Sequence, residues 1–242
     1  MRDHLNDAES GGGQTADIVR LDVDAIVLDI DDTLYLEREY VRSGFNAVGR
    51  WAGQELGIAD FGTRAWAAFE AGARGKIFDE VFTACGRRPD DATVSAIVRR
   101  YRTHVPEITL AVDARRALDR WHGVALLAAV TDGPLPSQQA KVRALTLDRW
   151  IPQIVFTGDL GEGKGKPHPA AFELVQDRLG VSGERCVYVA DNPAKDFVAP
   201  KLLGWRTVRV RRPCGLHTGT ASSDDVAHEI ASLDQLDLAL LT

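Results

Sequence analysis

The sequence predicts an α/β fold: a parallel sheet flanked by helices, interrupted by an all-helical insertion. Three observations carry this. Five short apolar runs have strand length, at residues 25–28, 124–130, 151–156, 186–190 and 207–210. Amphipathic stretches of helical length separate the later runs, at 136–145, 169–179 and 194–203. The long gap between the first and second runs reads as helix throughout. Short apolar strands that alternate with helical segments are the pattern of βαβ units and a parallel sheet.

Taken in order, residues 1–20 hold Asp3, His4, Asp7, Glu9 and the run Gly11-Gly12-Gly13, and are expected to form a flexible tail. Residues 25–28 (Ala-Ile-Val-Leu) are the first buried strand. Helix follows at 39–56, where Val41, Phe45, Val48, Trp51, Ala52 and Leu56 recur near helical spacing, and then at 64–73, 77–85 and 90–104. Residues 112–121 return the chain to the sheet. A crossover between parallel strands needs only about a dozen residues, so the excess at 37–110 is a candidate inserted domain. Its ends lie close together on the core, which is the arrangement of a lid. The expected division is a tail at 1–20, a core at 21–36 and 113–242, and a helical cap at 37–112. Gly180 and Gly204 follow two of the later helices, where a C-terminal stop is expected.

Composition bounds the function. The 242-residue chain has 29 Lys+Arg against 35 Asp+Glu, a net charge of −6, and is 45% hydrophobic. That apolar share excludes bulk disorder. The acidic balance argues against nucleic acid and anionic membranes as partners. The longest uncharged apolar run, 124–130, falls far short of the about 20 residues that a membrane span needs. Cys85, Cys186 and Cys214 form no CxxC and no metal-ligand cluster, which fits a reducing compartment. With no apolar stretch near the N-terminus of the kind a secretory signal needs, the expected location is the cytoplasm.

The chemistry collects at predicted strand ends, where ligands bind in an open parallel sheet. After the first strand come Asp29-Ile30-Asp31-Asp32-Thr33-Leu34. Three carboxylates this close repel one another and lose solvation, which a hard cation such as Mg²⁺ would offset. An EF-hand is excluded, because Leu34 stands where its sixth-position Gly is needed and Tyr40 where its twelfth-position Glu is needed. The second strand ends in Thr131-Asp132-Gly133, a hydroxyl and a close-approach turn suited to phosphoryl oxygens. Lys166, before Pro167, stands in the loop after the third strand, a point charge for a phosphoryl group. The fourth strand ends in Asp191-Asn192-Pro193-Ala194-Lys195-Asp196, which places Asp191 at the tip and Asp196 about a helical turn beyond Asn192. Gly158 to Lys164 matches the first seven positions of a P-loop, but Gly165 replaces the metal-binding Ser or Thr and Pro167 interrupts the helix that should follow.

Together these segments resemble the four motifs of the haloacid dehalogenase superfamily of phosphohydrolases, in order, strand-end placement and spacing. One departure is Ala190, where Gly often precedes the fourth-motif acid. The resemblance implies a Rossmann-like core with a helical cap, Mg²⁺ as cofactor, and a small phosphate ester as substrate. It implies Asp29 as nucleophile, forming an aspartyl-phosphate, and Asp31 as general acid and base. It further implies Mg²⁺ held by Asp29, the Asp31 carbonyl and Asp191. Thr131, Asp132, Gly133 and Lys166 would bind the phosphoryl group, with Asp196 and Asn192 supporting behind. Asp31 also separates phosphoryl transfer from C–Cl or C–P cleavage in that superfamily. Its neighbours Asp29 and Asp32 are expected to raise its pKa and so to favour its acid form. Asp29, Asp31, Asp32, Asp191 and Asp196, five of the chain's 35 acids, would share one metal-and-phosphate pocket. A sugar phosphate or a nucleoside monophosphate is the expected substrate; a sugar phosphomutase or a non-catalytic protein on the same fold is the alternative.

For specificity, the basic turn Gly72-Ala73-Arg74-Gly75-Lys76 offers Arg74 and Lys76 beneath a closed lid. Trp51, Trp66, Phe69 and Phe82 are expected in the core of the insertion, and Arg206, Arg209, Arg211 and Arg212 along an exposed edge.

Overall fold

The computed structural model describes residues 17–239. Eight strands and eight α-helices occur there. They run β1 (Val19–Leu21), β2 (Ala25–Leu28), α1 (Glu37–Glu55), α2 (Phe61–Glu70), α3 (Ile77–Ala84), α4 (Asp91–Thr103) and α5 (Val112–Trp121). The chain continues with β3 (Leu126–Thr131), α6 (Leu135–Ala144), β4 (Gln153–Phe156), α7 (Ala170–Leu179), β5 (Cys186–Ala190), α8 (Val198–Leu202), β6 (Arg206–Val210), β7 (His228–Ile230) and β8 (Leu236–Leu238).

Six strands form one all-parallel sheet in the order β4-β3-β2-β5-β6-β7. The chain winds outward from β2 through β3 to β4, then returns and winds the other way from β5. The carboxyl ends of β2, β3 and β5 therefore flank the crevice where the winding reverses, the binding position of doubly wound sheets. Strand alternation explains the two cores. Ile26, Leu28, Leu127, Ala129, Val187 and Val189 face Ala114, Leu118 and Trp121 of α5. Ala25, Val27, Ala128, Val130, Tyr188 and Ala190 face Phe172 and Val175 of α7 and Phe197 and Trp205. A strand buried on both faces has to be apolar at every position, which is why β2 reads as an unbroken run.

Helices α1–α4 enclose a third apolar cluster, built on Val41, Phe45, Val48, Phe61, Ala65, Phe69, Val81, Phe82 and Ile97, with Trp51 and Trp66 partly buried against it. Helices α1 and α2 cross closely at two glycines. A Cβ on Gly62 would lie 2.6 Å from the Phe45 carbonyl oxygen, and one on Gly49 2.9 Å from Gly62 Cα.

Several expectations need correction. Residues 1–16 of the expected tail lie outside the described residues, but Val19 and Arg20 belong to β1, which pairs in parallel with β8. Helix α5 begins at Val112, one residue before the expected core boundary. The helix expected over 194–203 is only α8. Before it, Asn192 Oδ1 accepts from the Ala194 amide at 3.0 Å and Asp196 Oδ2 accepts from the Asn192 amide at 3.0 Å, so side chains hold a turn there instead. The late arginines do not share one exposed edge. Because β7 pairs outside β6, β6 is an interior strand, and Arg209 is fully buried. Arg212 is buried too, while Arg206 is exposed.

Candidate active site

Asp29 directly follows β2, and its amide still donates to Val189 O of β5 at 2.9 Å, so its carboxyl group stands at the carboxyl edge of the sheet. The chain then turns sharply. Asp32 takes a positive φ of 50°. Its Oδ1 accepts from the Glu37 amide at 2.8 Å, which gives α1 its starting partner, and its Oδ2 accepts from the Leu216 amide at 2.7 Å. Asp32 is thus a backbone brace. That corrects its expected membership of the ligand pocket.

Lys166 reaches this edge from the loop after β4. Its buried Nζ lies 2.5 Å from Asp29 Oδ1 and 3.0 Å from Asp196 Oδ1. The Asp196 contact is an ion pair without hydrogen-bond alignment, since Asp196 Oδ1 has no hydrogen-bond partner. Burial disfavours the Lys166 ammonium, but Asp196 and Asp29 outweigh it and hold its pKa well above the usual lysine value. Asp29 is pushed up by its burial, against the pull of Lys166. Asp191, at the tip of β5, is pushed up to about 9 by burial and then by Asp29 and Asp196. Behind it, buried Arg209 donates to the Asp191 carbonyl at 3.0 Å and to the His217 carbonyl at 2.8 Å, which ties the strand tip to the loop after β6.

Carboxylate oxygens of Asp29, Asp191 and Asp196 all lie within 4.8 Å of one another. The donors are hard oxygens, and Asp191 forms no ion pair among the described residues. A divalent oxygen-seeking cation fits this set.

Asp31 is bound differently from the expectation. Lys141 Nζ of α6 lies 2.7 Å from both of its carboxylate oxygens, Gln138 Nε2 donates at 3.0 Å, and the Tyr35 hydroxyl donates as well. Burial alone would raise the Asp31 pKa; Lys141 and these donors outweigh it and lower it. The expected upward shift is therefore overturned, because sequence neighbours matter less here than a buried ammonium from another element.

Thr131 is at the tip of β3, but its hydroxyl donates to Gln138 Oε1 at 2.8 Å and is buried. The cavity wall there is made by Asp132 and Gly133 instead. Asp132 accepts from Thr157 Oγ1 at 2.6 Å and from Lys195 Nζ at 2.9 Å, and these contacts outweigh its burial and lower its pKa. The Asn192 side chain meets His217 Nε2 at 3.1 Å.

Asp29, Asp31, Lys141, Asp191, Lys195 and Asp196 floor a cavity of about 490 Å³ whose remaining wall includes Tyr40, Phe78, Val98, Tyr101 and Arg102 from the helical insertion; buried Lys166 and Thr131 stand behind this lining. Neither Arg74 nor Lys76 lines it. The Arg74 guanidinium lies 4.1 Å from the Phe69 ring centroid and donates to Phe69 O and Ala73 O, so it faces an adjoining recess of about 270 Å³. Lys76 is exposed. Sequence reasoning missed Lys141, Gln138, Tyr35, Lys195, His217 and the aromatic wall. Gln138 and Lys141 lie three apart on the face that α6 buries, and nothing in the local sequence marks that face.

Residues 23–204 match the family model of the haloacid dehalogenase-like hydrolases. The chain belongs to this family. Among curated relatives, this haloacid dehalogenase-like hydrolase is 30% identical to the phosphoserine phosphatase of Thermus thermophilus over 67% of its own length and 64% of that protein's. The match therefore spans less than two thirds of that relative. It is 28% identical to the glyceraldehyde 3-phosphate phosphatase of Methanopyrus kandleri over 84% of this chain and 91% of the other. Both relatives are named as phosphatases. The fold is also that of the magnesium-bound hydrolase YfnB from Bacillus subtilis, with a TM-score of 0.64 at 19% identity, over 89% of this chain and 97% of the other. Among the described residues, no helix is long and apolar enough to cross a membrane.

Proposed function

We propose that this hydrolase is a Mg²⁺-dependent phosphatase that cleaves a small phosphorylated metabolite through an aspartyl-phosphate on Asp29. A sugar phosphate is the first candidate and a nucleoside monophosphate the second. The observation that carries the reading is the Lys166–Asp29 contact of 2.5 Å beside Asp191, at the floor of a cavity on the carboxyl edge of the sheet. Lys166 opposes the upward push of burial on Asp29 and aims its carboxylate, and nucleophilic attack requires the charged form.

In the first step an Asp29 oxygen attacks phosphorus while the bond from phosphorus to the leaving oxygen breaks. Asp31 is the group to protonate that oxygen, and the proton it needs lies 2.7 Å away on Lys141. In the second step Asp31 takes a proton from water and returns it to Lys141 as the water oxygen attacks the same phosphorus, which breaks the bond from phosphorus to Asp29, releases phosphate and regenerates the Asp29 carboxylate. Lys166 offsets negative charge on the transferring group, and Asp196 holds Lys166 in place. Asp29, Asp191 and the Asp31 carbonyl would hold Mg²⁺, which when bound supplies further positive charge to the phosphoryl oxygens. The Thr131 hydroxyl would have to turn from Gln138 to reach the phosphoryl group, whereas Asp132 and Gly133 already line the cavity. Asn192 steadies the strand end beside Asp191. The helices at 37–112 act as the cap that closes over the site. Three cysteines without a disulfide support a cytoplasmic location.

The phosphatase names of the relatives favour hydrolysis over return of the phosphoryl group to a sugar. The test is phosphate release by the purified protein with Mg²⁺ across a panel of phosphate esters. Asp29→Asn should lower it by roughly 10³-fold or more. Full turnover by Asp29→Asn rejects the mechanism.

A further inference from the structure

Three lysines stand at or just beneath the floor of the site, and each already faces a carboxylate. Lys166 faces Asp29 and Asp196, Lys141 faces Asp31, and Lys195 faces Asp132. Arg102 differs from them. It lies in the last turn of α4 and lines the same cavity. Among the described residues its guanidinium has neither an ion pair nor a hydrogen bond. Arg102 is exposed at the edge of the cavity, and Ser137 Oγ donates to its carbonyl at 3.2 Å, which ties that turn of α4 to the first turn of α6.

The neighbouring wall is largely apolar, made by Tyr40, Phe78, Val98 and Tyr101. A neutral leaving group bound here offers the guanidinium no ionic partner and displaces part of its water. A carboxylate or a phosphate matches its planar fork with two parallel hydrogen bonds. The transferring phosphoryl group does not need Arg102, since Lys166 and the acid cluster that fits a cation stand on the sheet edge. Arg102 stands on the helical insertion, where it can meet the other end of the ester.

We propose that Arg102 is a specificity-determining residue that binds a second anionic group on the leaving group, so that the preferred substrates are phosphate monoesters that also carry a carboxylate or a second phosphate. This rests on the phosphatase reading above and narrows its substrate class.

A three-carbon series tests it. Glycerol 3-phosphate has a neutral leaving group, 3-phosphoglycerate places a carboxylate at the far carbon, and glycerol 1,3-bisphosphate places a phosphate there. With Mg²⁺, the wild-type protein should show kcat/KM at least tenfold higher for one or both anionic esters than for glycerol 3-phosphate; the arm that gains identifies the anion. Arg102→Met should collapse that ratio at least tenfold, mainly through KM, and Arg102→Lys should restore part of it, with unfolding curves that superimpose on wild type. An equal ratio in wild type and Arg102→Met, or no preference in wild type, overturns the inference and leaves the phosphatase reading intact. No phosphate release from any of the three, nor from 4-nitrophenyl phosphate, overturns both.

Discussion

Lys141 offers the sharpest energetic test, because nothing in its local sequence suggests that it is a buried partner of Asp31. Its side chain is 4% exposed, its Nζ lies 2.7 Å from both Asp31 oxygens, and it sits 4.3 Å from the Tyr40 ring centroid. Lys141→Met preserves most of the stem and deletes the charge. Removing one partner of a buried ion pair costs about 3–5 kcal/mol. The Asp31 side chain is 17% exposed and keeps its donors Gln138 and Tyr35, so the lower end applies, about 3 kcal/mol. At about 2–4 °C per kcal/mol for a chain of this size, the melting temperature should fall by about 6–12 °C. Urea unfolding at pH 7 of wild type, Lys141→Met, Asp31→Asn and the double variant isolates the pair. Lys141→Met should cost far less in the Asp31→Asn background, with a coupling energy of about 2–3 kcal/mol. Single-variant costs that add to within about 0.5 kcal/mol would refute the buried pair.

Gly62→Ala would drive a Cβ to 2.6 Å from the Phe45 carbonyl and should destabilise by about 1–3 kcal/mol, read by urea unfolding; a stability equal to wild type would sink the close crossing of α1 and α2. Asp113 is raised by burial but lowered more by Arg212, whose Nη1 lies 2.7 Å from it, and by the Leu233 amide and Ser232 hydroxyl. A depressed folded pKa contributes stability above the unfolded value of about 3.9, and that stability is lost as pH falls through the folded value. The stability gap between wild type and Asp113→Asn should therefore be full at pH 5 to 7 and close on further acidification; a gap independent of pH would count against the ion pair. Chelation of divalent metal should reduce phosphate release to background, and added Mg²⁺ should both restore it and raise the melting temperature by offsetting repulsion among Asp29, Asp191 and Asp196. A melting temperature unmoved by saturating Mg²⁺ would remove the metal from that cluster.

The parts of the site that local sequence reveals share one property: each is a short motif at the tip of a strand that is itself unmistakable. Asp29 follows four consecutive buried residues, and Asp191 follows five. Apolar runs announce those strands, and whatever follows them must stand at the carboxyl edge of the sheet. The parts that stayed hidden depend on the approach of elements distant in sequence. Lys141 and Gln138 look like solvated helix positions until α6 is laid against the turn after β2. Arg209 and Arg212 look like a basic surface run until β7 covers β6 and buried carbonyl oxygens take up their donors, as Arg212 does with Thr33 O at 2.7 and 2.9 Å. Arg74 had the right charge and the right loop, yet it folds back onto Phe69, because a guanidinium gains more from that ring and two carbonyls than from open water. Strands β1, β7 and β8 have three residues each, too few to carry a period.

On the phosphatase reading an acidic chain acts on an anionic ester, which needs an account of charge at the site, and the structure supplies one residue by residue. Asp29 and Asp196 share Lys166, Asp31 has Lys141, Asp132 has Lys195, and Asp32 is met by two backbone amides. Asp191 has no such partner among the described residues, and its pKa of about 9 expresses the cost of leaving it charged. Glu37, which also lines the cavity, has no side-chain partner among those residues either, and burial raises it to about 8, so the cost of carrying negative charge on the floor falls on these two carboxyl groups, Asp191 being the one next to the carboxylate that would attack phosphorus. On the phosphatase reading, this arrangement makes the cation a precondition for binding the ester and not merely an aid to chemistry. Without it an incoming phosphate meets an acid cluster whose lysines are already engaged; with it the local sign reverses where the phosphoryl group must sit. The net charge of −6 then says little about the ligand, because the field that the ligand meets is set by partners a few ångströms away and not by the sum over the surface.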